Sequence, residues 1–565
     1  DCNLTGIEFV ESNSRYYPLG DFCSYVVGYA KSYNDQSVKK MVGEMGLELS
    51  YDKQLKGKNG YKVYQTDANG YALVDGTLRE KDPTNGNDLY LTIDSGLQRN
   101  LDYLMSNAYS ESGAEVVTAG VMEIKTGKIL AMSTYPSFNP NERNISTFNN
   151  YFLEGTIECG SVFKPFIYAD SIEEGKYDHN AYYNSGSYNV YYGNKLVATI
   201  KDHNGGQGWG TITYDQGLYH SSNVAICNLL DQGYVTKDVL TEKLNDLGFF
   251  QGDTMDGLTC SSSINAYTRK NAGRLEYLTT GFGQGSTVTP YQLLKAYSVF
   301  GNDGKTVQPH IVDKVVNPET NKVVYQATPK YSKQIFSTNT ISQVKDLMLG
   351  VIEDEQGTGK TYRLDNDVRM IGKTGTGQVV ENGGYSTTLY MHSFVGIAPY
   401  DDPQVVMFLT FKSGDSYAQY MPNIVKQTMN EALQVVNRYN AKNTTAVDQS
   451  CTLDSYTNQS VNYVKSKLES KSLSVQIIGN GSSVIEQYPL AKSKVTSGDK
   501  VFIKTEGKDI TLPNLIGWSK KEVQTYASLA GIQLTIDGTS GHVTAQSVGE
   551  NTVVHSGDSL IVAIS

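Results

Sequence analysis

The alternation of apolar and polar residues first becomes regular near residue 89. Residues 89–93, Leu-Tyr-Leu-Thr-Ile, alternate as a β-strand does. Asp94 then precedes leucines at positions 97, 101 and 104, the spacing of one helix face, so we expect Asp94 to cap that helix. Residues 119–124 and 129–133 flank a glycine-containing turn and predict a β-hairpin. A domain therefore begins near residue 89.

A second group of apolar segments lies far along the chain. Residues 371–377, 393–398 and 404–411 predict strands, and residues 422–438 predict a closing helix. Strands and helices drawn from both ends of a domain predict a five-stranded antiparallel sheet flanked by helices. The predicted fold class is multidomain α/β (α+β), with residues 89–438 as the main domain.

The regions on either side have different patterns. Residues 1–88 are short alternating segments rich in turn residues and predict a mixed α/β spacer or docking module. Residues 439–450 are polar and predict a linker. Beyond the linker, a set of residues recurs 59 positions later: Val484, Gln487, Val495, Gly498 and Asp499 match Val543, Gln546, Val554, Gly557 and Asp558. The repeat predicts two small αβ modules, residues 451–506 and 507–565.

Composition narrows the classes of function. A chain of 565 residues exceeds one hydrophobic core, so several domains are expected. The net charge of −11 argues against nucleic acid as a partner. No apolar run approaches the ~20 residues of a membrane helix, and no signal peptide is visible, so we expect a soluble fragment or processed form whose anchor lay upstream. The six cysteines lack paired spacing; we expect free buried thiols at Cys227 and Cys260, and leave a disulfide elsewhere open.

The segment around Ser161 is the first candidate for chemistry. Ser161 and Lys164 are three positions apart and would share a helix face. A serine hydroxyl needs a neighbouring base, and a lysine serves only if burial lowers its pKa. Gly160 permits a tight turn before the helix, and Pro165 is tolerated in a first helical turn. The alternative is an ordinary helix start with a solvated lysine.

Three motifs follow one another in a fixed order. Ser161-x-x-Lys164 precedes Ser221-Ser222-Asn223 by 60 residues, and Lys373-Thr374-Gly375-Thr376 follows after a further 152. This set resembles the signature of the penicillin-interacting serine transpeptidases. More closely, the chain is similar to class B penicillin-binding proteins of Gram-positive bacteria, the D,D-transpeptidases of division or sporulation. The resemblance extends from Arg15-x-Tyr17-Pro18, which is similar to the family's N-terminal pedestal, to the repeats, which look like two PASTA modules.

The resemblance implies a role for each motif residue. Lys164 would deprotonate Ser161, which attacks the penultimate D-Ala of a peptidoglycan stem peptide, and Ser221 would relay a proton to the leaving D-Ala. The remaining motif residues would bind substrate: Asn223 its amide, Lys373, Thr374 and Thr376 its carboxylate, with Ser222 and Gly375 beside them. Backbone N–H groups of Ser161 and Thr376 would hold the oxyanion. Taken singly, Asn223 could be a helix cap, Ser221 a turn residue and Lys373 a solvated lysine.

The same resemblance implies the setting of the reaction. The chain would act outside the cytoplasm, anchored to the membrane by a segment that precedes it. Its partners would be stem peptides, β-lactams that acylate Ser161, a membrane glycosyltransferase and other wall-synthesis proteins. No cofactor is required for this chemistry. A D,D-carboxypeptidase, a β-lactamase or a non-catalytic wall-binding scaffold are the alternatives.

One departure from the family pattern suggests a metal. The chain has Cys159 where relatives have proline, and His203 where they have an aromatic residue. With Asp202 and His220, these are ligand types of tetrahedral zinc. We therefore predict a structural Zn²⁺ site formed by Cys159, Asp202, His203 and His220 that braces the loops around the serines. The alternative is a surface histidine and a small filler cysteine without metal.

Overall fold

The computed structural model describes residues 14–564, except 36–37, 70–71, 365–367, 382, 445–450, 470–472, 496–498 and 539–541. The chain divides after Arg438 into two compact units. No helix in the described part of the chain is long and apolar enough to cross a membrane. Cys23, Cys159, Cys227 and Cys260 are free and buried, as predicted for Cys227 and Cys260.

The N-terminal part of the first unit is a small α/β pedestal. Its two hairpins, β1 with β2 and β3 with β4, are antiparallel. Arg15 forms an ion pair of 2.7 Å with Glu48 at the start of one short helix, which ties two pedestal segments together. The elements are α1 (Ser24–Val27), β1 (Tyr29–Asp35), β2 (Val38–Met45), α2 (Gly46–Ser50), α3 (Asp52–Leu55), β3 (Tyr61–Thr66) and β4 (Ala72–Lys81).

The strands of the main domain form one large sheet and several small ones. The strands are β5 (Asp88–Leu91), β6 (Val116–Glu123), β7 (Ile129–Tyr135), β8 (Tyr182–Asn184), β9 (Ser187–Tyr192), β10 (Lys195–Lys201), β11 (Thr211–Thr213), β12 (Asp253–Met255), β13 (Leu258–Cys260), β14 (Val312–Asn317), β15 (Lys322–Gln326), β16 (Ile371–Glu381), β17 (Gly384–Ala398) and β18 (Val405–Ser413). The large sheet has the order β16-β17-β18-β6-β7, and every neighbouring pair is antiparallel. This confirms the predicted five-stranded antiparallel sheet.

Helices cover both faces of that sheet. The helices are α4 (Ser95–Ser112), α5 (Tyr151–Glu154), α6 (Lys164–Glu173), α7 (Tyr214–Tyr219), α8 (Asn223–Asp231), α9 (Lys237–Asp246), α10 (Arg274–Gly281), α11 (Pro290–Tyr297), α12 (Thr338–Glu353) and α13 (Met421–Thr444). One apolar core includes residues of α4 and α13, and the other includes residues of α6, α11 and α12. Because both faces are covered, β6 and β18 are buried along almost their whole length.

Two predictions concern the helices at the two ends of the main domain, α4 and α13. Asp94 caps α4 as predicted, accepting hydrogen bonds of 3.1 Å from the backbone N–H groups of Gly96 and Leu97. The closing helix continues to Thr444 instead of ending at Arg438, so the first part of the predicted linker is helical. Residues 445–450 of that linker lie outside the described residues.

The second unit contains the two repeated modules. Each has a helix and a three-stranded sheet in which one strand pairs in parallel and the other antiparallel. The modules pack together because Phe502 of the first contacts Trp518 and Tyr526 of the second. The elements are β19 (Cys451–Thr452), α14 (Val461–Glu469), β20 (Ser474–Ile478), β21 (Val484–Tyr488), β22 (Lys494–Val495), β23 (Lys500–Thr505), β24 (Ile510–Thr511), α15 (Lys520–Ala530), β25 (Gln533–Asp537), β26 (Val543–Gln546), β27 (Val553–Val554) and β28 (Ser559–Ile564).

Candidate active site

Ser161 lies in a tight 3-10 turn that leads into α6. The turn spans Gly160–Phe163, and Lys164 is the first residue of the α-helix, so the pair does not lie on one continuous α-helix. Gly160 has a φ of 61°, and a Cβ atom there would lie 2.3 Å from the carbonyl oxygen of Thr376 on β16. Only glycine therefore allows the serine turn to approach the strand this closely. Pro165 follows in the first turn of α6, as predicted.

The second motif lies at the junction of α7 and α8. Ser221 has a φ of 58°, which is uncommon for a residue with a side chain and is often found at functional sites. Ser222 is the N-cap of α8 and accepts a hydrogen bond of 3.1 Å from the backbone of Ala225. Asn223 begins α8, and its Nδ2 donates to the carbonyl oxygen of Lys201 at 2.9 Å. Ser221 thus adopts a left-handed conformation between α7 and α8, and it is Ser222, not Ser221, that caps α8.

Two buried lysines converge on Ser221. Nζ of Lys373 donates to Oγ of Ser221 at 2.8 Å and to the carbonyl oxygen of Thr374 at 3.0 Å. Nζ of Lys164 donates to the carbonyl oxygen of Ser221 and lies 3.4 Å from its Oγ. Both lysines are fully buried. The Ser221 hydroxyl therefore connects the lysine of the first motif to the lysine of the third.

Burial changes the acid–base properties of both lysines. It lowers the pKa of Lys164 to about 7, although the negative charge of Asp202 opposes this shift. It also lowers the pKa of Lys373 far below its ordinary value, and the charge of Lys164 acts in the same direction. An amine with a pKa near 7 is partly neutral at neutral pH and can accept a proton. Lys164 therefore has the lowered pKa that a base for Ser161 needs.

The motifs open onto one cleft of about 900 Å³. Its lining includes Ser161 and residues of all three motifs: Ser221, Asn223, Thr374, Gly375 and Thr376. Ser222 does not line it; this serine is buried and holds the start of α8. The observed contacts of Ser222 are those of a helix cap, and its substrate-binding role stays a prediction. An N-cap serine must turn its hydroxyl back toward the helix, which removes it from the cleft.

Comparison with known families agrees with this arrangement. The family model described as "Penicillin binding protein transpeptidase domain" matches residues 117–434, more than half of the chain. The chain belongs to the penicillin-binding protein transpeptidase family. The "Penicillin-binding Protein dimerisation domain" matches residues 2–91, and PASTA domains match residues 452–507 and 510–565. The chain is thus a class B penicillin-binding protein with PASTA domains, and its enzyme class is that of the serine D,D-transpeptidases.

Individual relatives span most of this penicillin-binding protein. It is 30% identical to Stage V sporulation protein D of Bacillus subtilis, over 90% of this chain and 78% of that protein. It is 28% identical to a peptidoglycan D,D-transpeptidase FtsI homolog of Mesostigma viride, over 72% and 69% of the two chains. The crystal structure of penicillin-binding protein 2X from Streptococcus thermophilus has the same fold, with a TM-score of 0.67, 24% identity and coverage of 97% of this chain and 82% of that one.

The pKa of Lys164 predicts how acylation of the penicillin-binding protein depends on pH. The reactive form has Lys164 neutral, so the rate should rise with pH through about 7 and level off near pH 8. At pH 6 we expect a rate about tenfold below the plateau, because the neutral fraction falls tenfold for each pH unit below the pKa. The measurement is the second-order rate constant for acylation by a fluorescent penicillin between pH 5.5 and 9. A rate that is flat over this range would contradict the assignment.

Asp202 has a structural role that the sequence did not reveal. Its Oδ1 accepts hydrogen bonds from the Ser222 hydroxyl at 2.9 Å and from the backbone N–H groups of Asn223 and Val224 at 2.7 and 3.1 Å. Its Oδ2 accepts from Gly186 at 2.8 Å. A carboxylate at a helix N-terminus also interacts favourably with the helix dipole. Asp202 thus fixes the position of the second motif from a distant loop, and no local sequence signal marks this contact.

Removing the Asp202 carboxylate should loosen the second motif. For Asp202→Ala we expect about 2–4 kcal/mol of lost stability, because a buried cap and several charge-assisted hydrogen bonds disappear. Acylation by penicillin should slow as well, since Ser221 and Asn223 lose their support. Thermal unfolding and acylation kinetics measure the two effects. Asp238→Ala, in the first turn of α9, is the control; an equal loss in both variants would show that the effect is not specific to Asp202.

The predicted zinc ligands do not form a metal site in this arrangement. Asp202 caps the start of α8. The Trp209 ring stacks on the His220 ring with 4.7 Å between their centroids, and its centroid lies 5.4 Å from that of the His203 ring. The Cys159 thiol is buried, 3.8 Å from the carbonyl oxygen of Gly160. In the described part of the chain, no three His, Cys, Asp or Glu side chains form a group that could hold a metal ion. Cys159, Asp202, His203 and His220 are therefore not grouped as ligands of one ion in this structure, and zinc binding by them stays a prediction.

Two further contacts near the cleft were missed from the sequence. Thr374 of the third motif donates a hydrogen bond of 2.9 Å to the hydroxyl of Thr358. The hydroxyl of Tyr385, in the extended hairpin of β16 and β17, donates to Glu158 at 3.1 Å. Neither partner is close in sequence to the residue it contacts, so only the fold brings them together.

Proposed function

We propose that this chain cross-links peptidoglycan stem peptides through an acyl-enzyme on Ser161. The observation that carries the proposal is the convergence of Lys164 and Lys373 on Ser221 at the edge of the cleft that Ser161 lines. One buried lysine with a lowered pKa can serve as the base, and the bridging hydroxyl can move a proton between the lysines and the substrate. Relatives named as peptidoglycan D,D-transpeptidases support the same reaction.

In the first step, Lys164 takes the proton of the Ser161 hydroxyl, and Oγ attacks the carbonyl carbon of the penultimate D-Ala. Backbone N–H groups of Ser161 and Thr376 stabilise the oxyanion. Ser221 passes a proton to the nitrogen of the terminal D-Ala as the C–N bond breaks. The products are free D-Ala and an ester of Ser161. A β-lactam reacts in the same way, but its broken C–N bond lies in the ring, so the leaving nitrogen stays attached.

In the second step, an amine of another stem peptide attacks the ester carbonyl. A new C–N bond forms, the C–O bond to Ser161 breaks, and the amine proton returns to the serine oxygen through Lys164 and Ser221. The cross-link is thus made without ATP, because the energy of the D-Ala bond is kept in the ester.

The third motif supplies recognition of the substrate carboxylate. Thr374 and Thr376 line the cleft, and Lys373 is buried immediately behind it. Hydroxyls give directional donors to a terminal carboxylate, and the negative charge of a bound carboxylate would raise the lowered pKa of Lys373 behind them and favour its protonated form. Asn223, at the opposite wall, is placed to hydrogen-bond the peptide amide.

The test is a reaction with a defined substrate. Purified protein is incubated with a stem pentapeptide that ends in D-Ala-D-Ala and with a stem tetrapeptide that carries a free side-chain amine. We expect a cross-linked product and one free D-Ala per cross-link by mass spectrometry, both suppressed by penicillin. Release of D-Ala without any cross-link would instead identify a D,D-carboxypeptidase.

The proposal extends to the setting of the enzyme. A wall-synthesis reaction places the protein outside the cytoplasm, and we propose that a segment preceding this chain anchors it to the membrane. A membrane glycosyltransferase, which makes the glycan strands to be cross-linked, and other wall-synthesis proteins are the proposed partners. Zinc binding stays a prediction; metal analysis of the purified protein, with Cys159→Ser as the comparison, tests it.

A further inference from the structure

The hairpin of β9 and β10 forms one wall of the catalytic cleft. Four consecutive residues of β10, Ala198–Lys201, line the cleft together with Ser161 and Ser221. In the part of the chain that the structure describes, β10 pairs with β9 alone. The other long edge of β10 therefore faces the cleft as an unpaired strand edge.

The direction of the free backbone groups follows from one contact. The carbonyl oxygen of Lys201 accepts a hydrogen bond from Asn223, which belongs to the catalytic motif and not to β9. In an antiparallel strand, the N–H and C=O of one residue point to the same side, and this side alternates along the strand. The pairing is regular from Ala198 to Lys201. The N–H and C=O of Thr199 and the N–H of Lys201 therefore point away from β9, toward the side on which Asn223 lines the cleft.

The charge of the hairpin fits an acidic peptide. Lys195 and Lys201 are exposed at the two ends of β10, although the chain as a whole has a net charge of −11. Stem peptides carry free carboxylates, and an extended peptide can add to a free sheet edge through backbone hydrogen bonds. The edge runs to Asn223, so a peptide bound there would lead directly to Ser221 and the acyl-serine.

We propose that β10 binds the acceptor, the stem peptide whose amine attacks the Ser161 ester, as an added antiparallel strand. Thr199 supplies the backbone donor and acceptor, and Lys195 and Lys201 hold the peptide carboxylates. This inference rests on the proposed function and adds to it the location of the second substrate. The first substrate, held by the third motif, occupies the opposite wall, so the two peptides meet at Ser161.

The main experiment separates the two half-reactions. Thr199→Pro removes one N–H from the free edge and adds ring bulk there, while proline at an outward-facing position is compatible with the β9 pairing. The ratio of transferred to hydrolysed product is measured with a stem tetrapeptide acceptor, which gives a cross-link, and separately with isotopically labelled D-alanine, which gives a labelled pentapeptide. We expect the ratio to fall about tenfold with the peptide, the effect of a lost backbone hydrogen bond plus a steric clash. It should stay unchanged with D-alanine, which is too short to lie along β10.

A second variant keeps the inference testable if the proline disturbs the hairpin. Lys201→Glu reverses one charge at the edge without changing the backbone. Binding of a fluorescent stem tetrapeptide to the penicillin-acylated protein is measured by anisotropy, since penicillin then fills the first-substrate site. We expect wild-type binding to persist after acylation and Lys201→Glu to weaken it about tenfold.

Different results would contradict the transpeptidase reaction and the binding of the acceptor at β10. A wild-type protein that penicillin does not acylate would overturn the proposed function itself. If acylation is normal but Thr199→Pro and Lys201→Glu leave peptide transfer and binding unchanged, the acceptor does not bind at β10. Equal losses with the peptide and with D-alanine would also overturn the inference, because they would show damage to the shared centre.

Discussion

The Ser161→Ala variant is expected to lose all covalent labelling by a fluorescent penicillin and all cross-linking. Ser161 is the only side chain of the first motif that lines the cleft, and Lys164 lies buried behind it. Without the hydroxyl there is no atom to carry the ester, so the loss should be at least about 10⁴-fold, as for other enzymes that lose a catalytic serine. Labelling is followed by gel fluorescence, and cross-linking by mass spectrometry.

Ser171→Ala is the matched control for this variant. Ser171 is a buried serine on the same helix, α6, and its hydroxyl donates only to the carbonyl oxygen of Ile167 one turn earlier. Its removal should leave labelling intact. The melting temperatures of both variants should stay close to that of the wild type, because neither change opens a large cavity. Persistent labelling of Ser161→Ala would place the nucleophile elsewhere and refute the site.

The second large effect is expected for Lys164→Gln. Glutamine has a similar length but cannot accept the serine proton, and general-base catalysis contributes about 10²–10⁴-fold. We expect acylation by penicillin to slow about 10³-fold and the dependence on pH near 7 to disappear. Stability should not fall and could rise, because the wild-type fold buries an amine that loses its proton only as the pH approaches 7.

Lys176→Gln is the control for charge alone. Lys176 follows α6, and its Nζ donates to the carbonyl oxygen of Gly233, outside the cleft lining. This variant should keep both the acylation rate and its rise with pH. If Lys164→Gln instead retained the wild-type rate and pH profile, Lys373 would be the remaining candidate for the base, since it also contacts Ser221.

Sequence patterns correctly predicted the main sheet and the start of α4 because both depend on residue types within a few positions of one another. Alternation of period two identified β5, and short apolar segments beside turn residues identified strands of the large sheet. Asp94 before a 3.6-residue pattern identified the start of α4. The lengths of some strands and helices were less predictable. The strands β16 and β17 continue beyond their predicted segments to form a long hairpin, and α13 continues to Thr444. The sequence Asn382-Gly383-Gly384 is a hairpin signal at the junction of β16 and β17 that the prediction did not use. No glycine or proline occurs between Arg438 and Thr444, so sequence gives no reason to end α13 at Arg438.

The sequence by itself determined the order of the three motifs, the need for Gly160 before Ser161 and the repeat of the C-terminal modules, because each depends only on residue types and their spacing along the chain. The tertiary structure decided which side chains meet. It placed Lys164 and Lys373 on Ser221, turned Ser222 into a helix cap and used Asp202 to hold that cap, so that the predicted zinc ligands were not assembled. The physical reason is that burial and long-range hydrogen bonds fix the pKa and direction of each side chain, and both depend on segments that are distant in sequence.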